Sequence, residues 1–313
     1  MTTHAQPEHI QQAVDSAFEL YARLPGGKNA DYIPYLADVP DALAAVVVVT
    51  RDGNIYQAGD SRYRFALESI SKVTTLALAL EDVGPDAVQD KIGADPTGLP
   101  FNSVIALELH NGKPLSPLVN AGAMSAVSLI TAADSEQRWQ RILKMQQQLA
   151  GGEVALSDEV NHSEQTTNFH NRAIAFLLYS AGTLYSDALE ACDVYTRQCS
   201  VLFNTVELAT LGATLAAGGT NPVTKQPVLK SSNVPFILAE MMMEGMYGAS
   251  GDWAYRVGLP AKSGVGGGVV TVVPGVMGIA AFSPPLDEEG NSVRGQKMVA
   301  EVAKQLGYNL FSV

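Results

Sequence analysis

Apolar and polar positions follow three regimes along this chain. From Pro7 to Leu24 the apolar residues Ile10, Val14, Phe18 and Tyr21 recur at helical spacing, and Pro25-Gly26-Gly27 ends the pattern. Leu43 to Thr50 is a nearly continuous β-branched run. Arg51-Asp52-Gly53-Asn54 then forms a turn, and Ile55 to Ala58 resumes extended structure, which together read as a hairpin. A run that apolar suits a strand buried on both faces.

The middle is helical in pattern. It predicts helices over Ile70–Asp82, Ala121–Thr131, Ser135–Leu149, Ser157–Thr166, Asn171–Ser180, Asp187–Cys199, Thr205–Ala217 and Asn233–Glu244. Several open on Ser, Thr, Asp or Asn caps, and Gly84 and Gly218-Gly219 stand where helices stop. The end turns β-rich again, with Val269–Val273 and Val276–Phe282 split by Pro274-Gly275. Ser292 to Leu306 reads as a closing helix. Early and late strands with helices between imply an α+β fold: one antiparallel sheet, terminal helices packed on it, and a mainly helical second lobe. The expected division is one catalytic unit over 1–313, with 1–68 and 255–313 forming the sheet-containing lobe and 69–254 the helical lobe. A cleft between the lobes is the natural place for a site.

Composition narrows the field. The 313 residues are 47% hydrophobic and carry a net charge of -12, which suits a globular protein and disfavours binding to nucleic acid. The opening MTTHAQPEHIQQ has neither a basic flank nor an apolar core, and the longest aliphatic run, Leu43 to Val49, is too short to span a bilayer. The expectation is a cytoplasmic protein away from membranes. On a helix, Cys192 and Cys199 stand about 10 Å apart along the axis, which makes them two buried free thiols rather than a disulfide. The histidines lack metal-ligand spacing, so no metal or cofactor is expected.

Ser69-Ile70-Ser71-Lys72 fits S-x-x-K at the start of a helical pattern. Residues i and i+3 share a helix face, so Lys72 can meet Ser69. The lysine activates the serine only when neutral, which burial or a nearby cation can bring about. The spacing alone is common. Far downstream, Lys262-Ser263-Gly264 precedes Val265-Gly266-Gly267-Gly268 and the strand Val269–Val273. A K-[ST]-G strand lines one wall of the cleft in S-x-x-K enzymes, and glycines there let backbone N–H groups approach a substrate. The stretch Ser163 to Asn171 is dense in polar side chains: it reads as a helix-capping loop or as a polar pocket. Gly248-Ala249-Ser250-Gly251-Asp252 misses G-x-S-x-G and reads as a loop.

With these residues assembled, the chain resembles the serine-dependent glutaminases, a family with a β-lactamase-like fold. The matching segments are Asn29 to Pro34, Glu68 to Lys72, Asn120 to Ala123, Ser163 to Asn171, Tyr195 to Ser200, Met246 to Gly248 and Lys262 to Gly268. The resemblance implies hydrolysis of the side-chain amide of L-glutamine through a seryl ester, with Ser69 as nucleophile and Lys72, helped by Tyr247, as proton acceptor. It implies an oxyanion hole from the N–H groups of Ser69 and Val265. It also implies that Asn120, Glu164, Asn171 and Tyr195 hold the amino-acid end, that Tyr32 sits at the mouth, and that the protein is a homodimer or homotetramer. Lys262 matches a family lysine of less settled role. Two alternatives share parts of this pattern. A penicillin-recognising serine hydrolase would share both motifs but need an S-x-N element in the middle, and a non-catalytic amino-acid-binding protein would not need Ser69 and Lys72.

Overall fold

A computed structural model describes residues 6–312 of the chain. The first five residues of the N-terminal stretch read above lie outside it. Among the described residues eight strands form two sheets: β1 (Ala45–Thr50), β2 (Ile55–Gly59), β3 (Phe65–Ala66), β4 (Ala155–Leu156), β5 (Val201–Phe203), β6 (Ala261–Ser263), β7 (Gly268–Val273) and β8 (Met277–Phe282). The main sheet runs β2-β1-β8-β7-β6, with every neighbouring pair antiparallel. The early hairpin and the late strands therefore meet in one sheet, as the pattern predicts. The register sets Val47 opposite Ala280 and Val269 opposite Ala281.

Strand β1 is buried along its whole length, because both faces of the sheet are covered. Val46 and Val48 point to one face, where Ile10, Val14 and Ala17 of the helix Pro7–Tyr21 and Met298, Val299 and Val302 of the helix Val293–Gln305 pack. Val47 and Val49 point to the other, against Leu208, Ala209 and Leu211. Those three belong to the helix Thr205–Ala216, buried at every position, which a capping box between Asn204 and Glu207 opens. A helix apolar all round needs cover on all sides. It therefore lies between the sheet and the other central helices, although it falls within the span expected to form the helical lobe.

The remaining predicted helices appear within a few residues of their expected bounds. Four short ones carry too little periodicity to be read: Pro34–Ala37, Pro85–Lys91, Val104–Leu109 and Ser250–Arg256. The last corrects the loop expected over Gly248–Asp252, which is instead a 3₁₀ turn running into a helix. A second, three-stranded sheet, β3-β5-β4, was also beyond the pattern. It carries the chain from Ala66 into Ser69. Cys192 and Cys199 are both buried free thiols. No described helix is long and apolar enough to cross a membrane.

Candidate active site

Beyond β3 the chain turns through a 3₁₀ helix, Glu68–Ile70, into the helix Ser71–Val83. Ser69 lies in the turn and Lys72 in the first helical turn, so the i,i+3 spacing brings Lys72 Nζ to 3.1 Å from Ser69 Oγ. Lys72 is fully buried. Burial pulls its pKa from 10.5 to about 8, while Cys199, Glu68, Glu244 and Glu164 pull it back up. A useful fraction of this amine is therefore neutral near pH 7 to 8, and a neutral amine at that distance can take the proton of the serine.

The turn after β6 closes over the serine. A Cβ on Gly266 would stand 2.2 Å from Ala66 O and one on Gly264 2.7 Å from Leu67 O, so any larger residue would push the turn away from the segment that carries Ser69. Among the described residues, neither the Ser69 nor the Val265 N–H is spent on a turn or loop hydrogen bond. Both remain available to a developing oxyanion.

Lys72 Nζ also donates to Asn120 Oδ1 at 2.7 Å. The Tyr195 hydroxyl donates to the same oxygen at 3.1 Å, and Asn120 Nδ2 donates to Asn171 Oδ1 at 2.9 Å. Asn120 is thus a hub that connects the Lys72 amine to the polar pocket. One Asn120 N–H and both Asn171 N–H groups stay available for an anionic ligand, while the Tyr195 proton is engaged within the network. Above this network opens a cavity of about 530 Å³, lined by Tyr32, Phe101, Asn120, Glu164, Asn171 and Val265 among others. Ser69 is not itself among the lining residues and is 6% exposed.

Tyr247 is buried, and its hydroxyl donates to Ser263 O at 3.2 Å within reach of Ser69. Burial raises its pKa far above the ordinary value, so it is a neutral phenol, suited to donating a hydrogen bond rather than to taking a proton. Lys262 does not reach the serine. Its Nζ donates to Ser263 O at 2.7 Å and to Gly245 O at 3.2 Å, and lies 4.3 Å from the Tyr247 ring centroid. Its contacts are with the β6 backbone and the Tyr247 ring.

Two residues at the site went unread in the sequence. Phe101 packs against Tyr247 with the rings tilted, centroids 4.8 Å apart, lines the cavity and lies 5.6 Å from Lys72 Nζ. A lone aromatic in a Pro- and Gly-containing loop was its only signal. Glu68 is buried beside Glu164, and its place next to the nucleophile was the only clue.

The glutaminase family model matches residues 27–311. A glutaminase of Escherichia coli O81 (strain ED1a) is 80% identical over 302 residues, covering 96% of this chain and 97% of that one. The solved structure of a probable glutaminase, ybaS, is similar with a TM-score of 0.98 at 78% identity, covering 99% of this chain and 100% of that chain. A structure of Mglu in its glutamate form matches with a TM-score of 0.91 at 34% identity, covering 99% of this chain and 71% of that chain. The β-lactamase-like α+β arrangement expected from the sequence is the fold these chains share.

Proposed function

The chain belongs to the glutaminase family, and from that premise we propose that it hydrolyses the side-chain amide of L-glutamine to L-glutamate and ammonia through an ester on Ser69. The observation that carries this reading is the fully buried Lys72 amine 3.1 Å from Ser69 Oγ.

Ser69 Oγ attacks the amide carbon as Lys72 takes its proton. The N–H groups of Ser69 and Val265 receive the oxyanion, and the loss of either raises the barrier by about 3 kcal/mol. Lys72 returns the proton to the departing nitrogen, and ammonia leaves. Water, deprotonated by the same amine, then hydrolyses the ester. Tyr247, neutral and donating to Ser263 O at 3.2 Å, accepts an N–H of the leaving nitrogen on its hydroxyl oxygen. Glu164 faces the substrate ammonium, and the free N–H groups of Asn120 and Asn171 face its carboxylate. A substrate without either charge leaves buried polar groups unpaired and is rejected.

The same reading carries a cytoplasmic homodimer or homotetramer. Ile105, Leu109, Phe169, Phe176 and Tyr179, exposed on two neighbouring helices, offer an apolar surface for that association. Sedimentation that gave a monomer would refute it.

Ammonia release with L-glutamine, L-asparagine and other free amides tests the function. Ser69→Ala is expected to lower kcat by about 10,000-fold or more and still bind L-glutamate in calorimetry. Undiminished turnover in that variant, or stable labelling of the wild type by a fluorescent penicillin, would overturn the proposal.

A further inference from the structure

Beside the nucleophile stands a carboxyl group to which the mechanism above gives no task. Glu68 is held at φ +52°, where a side chain other than glycine is uncommon. It is 4% exposed and runs beneath the turn after β6: its Cγ lies 3.3 Å from where a Cβ on Gly266 would stand. Its carboxyl group lies within hydrogen-bonding reach of Glu164, itself 9% exposed. Oε1 of Glu68 and Oε1 of Glu164 are both buried without a hydrogen-bond partner among the described residues.

Two adjacent buried carboxyl groups cannot both be ionised at neutral pH, and a proton shared between them satisfies both. Burial, then the charge of Glu164, raises Glu68 well above the ordinary carboxylate range. Lys72, from the helix Ser71–Val83, favours ionisation of either partner. Tyr32, Tyr195, Tyr247 and Cys199, facing the pair from other elements, are neutral and supply no further charge. Burial raises both carboxyl groups, and geometry separates them: Glu164 lines the cavity whereas Glu68 does not and is the less exposed. That places the proton on Glu68 and the negative charge on Glu164.

We propose that Glu68 is a positioning residue of the ammonium subsite: as a neutral carboxylic acid it donates its O–H to Glu164 and holds that carboxylate, as a single negative charge, towards the α-ammonium of the substrate. This deepens the glutamine reading and rests on it. The pair then carries one charge for one ammonium. A second ionised carboxylate would leave a surplus buried charge and would favour the protonated form of Lys72.

The test compares Glu68→Gln, whose amide can still donate to Glu164, with Glu68→Leu, which cannot. Calorimetry with L-glutamate and with glutarate, which lacks the amino group, reads the subsite directly. Glu68→Leu is expected to weaken L-glutamate binding by about tenfold to a hundredfold and to raise KM for L-glutamine in parallel, with a smaller change in kcat. Glutarate binding should move by less than about twofold, and Glu68→Gln should recover L-glutamate binding to within about threefold of wild type. The proposal fails if Glu68→Gln weakens L-glutamate as much as Glu164→Gln does, because Glu68 would then act as a charge. It also fails if the Gln and Leu variants behave alike, or if glutarate and L-glutamate weaken together. Should the Leu variant not fold, the comparison of Glu68→Gln with Glu164→Gln still decides. A wild type that bound L-glutamate but released no ammonia from L-glutamine would sink the catalytic reading alone and leave the calorimetric test standing.

Discussion

Replacing Asn120 with Asp changes one atom of the hub that joins the Lys72 amine, the proposed proton acceptor, to the pocket. Asn120 Oδ1 lies 2.7 Å from Lys72 Nζ, so Asn120→Asp sets a full negative charge against an amine whose pKa burial has lowered to about 8. An opposite charge this close favours the protonated amine by about 1–3 pKa units, moving Lys72 to roughly 9–11. Only the neutral amine can accept the serine proton. Below both pKa values the neutral fraction falls tenfold per unit, so kcat/KM for L-glutamine should drop by about 10- to 1000-fold at neutral pH. The acid limb of its pH profile should move up by at least about one unit. Ammonia release measured from about pH 6 to about pH 10.5 gives the profile. The position of the limb is the readout, because the new carboxylate also repels the substrate's own and lowers the whole curve by a factor independent of pH. A variant slower by the same factor at every pH, with its limb in place, would show that the protonation of Lys72 does not govern the rate.

Lys72→Met should abolish turnover yet stabilise the fold. The folded pKa of about 8 lies below the ordinary 10.5, so the unfolded chain binds more protons between those values, and wild-type stability rises with pH across that window. Below it, burial of the charged amine costs about 3 kcal/mol at most. Urea unfolding at pH 7 should show the Met variant more stable by about 1–2 kcal/mol once the lost bond to Asn120 is deducted. The variant should also lose the rise in stability between about pH 8 and pH 10.5, and an unchanged rise would refute the assignment. Gly278→Ala should destabilise by about 3 kcal/mol, because its Cβ would stand 2.3 Å from Ala213 N and 2.4 Å from Ala209 O, where the helix Thr205–Ala216 crosses β8. Equal stability in a denaturant titration would mean that the helix can shift without loss.

What the sequence revealed depended on how local the encoding was. Ser69 and Lys72 are legible because three residues on a helix fix their geometry with no help from the rest of the fold. Val46 to Val49 announce a doubly covered strand because burial on both faces demands an unbroken apolar run. Asn120, Asn171 and Tyr195 behave differently: the contacts that join them to Lys72 span 48, 51 and 75 positions, and no pattern along the chain encodes them. Family resemblance selected those residues without showing that they form one network. Lys262 was legible as part of a motif but not in its role, because whether its amine meets the serine or the backbone of β6 depends on the path of the strand. The strands β3, β4 and β5 are two or three residues long, too short for alternation to register. In Ser250–Arg256, Gly251 falls within the first helical turn, where its low propensity does little harm, although in sequence it marks a loop.

The residues around Ser69 are also those that sit least comfortably in the fold. Five described residues other than glycine hold a positive φ, and two of them, Glu68 and Tyr247, border Ser69. Backbone of that kind costs about 1–3 kcal/mol per residue and persists only where surrounding structure enforces it. Lys72 is a buried amine, Glu164 a buried carboxylate with an oxygen lacking a partner, and the N–H groups of Ser69 and Val265 have no turn or loop acceptor. Under the proposed reading, free glutamine answers several of these groups: its amide carbonyl would complete the oxyanion donors, its ammonium would pair with Glu164, and its carboxylate would take the idle hydrogens of Asn120 and Asn171. A ligand with all three groups relieves several local penalties together, whereas one lacking any group relieves fewer and leaves a polar atom buried alone. Selectivity then follows from the same strained, under-bonded positions that lower the stability of the protein by itself. Bound L-glutamate should accordingly raise stability by more than its separate fragments do at matched concentration.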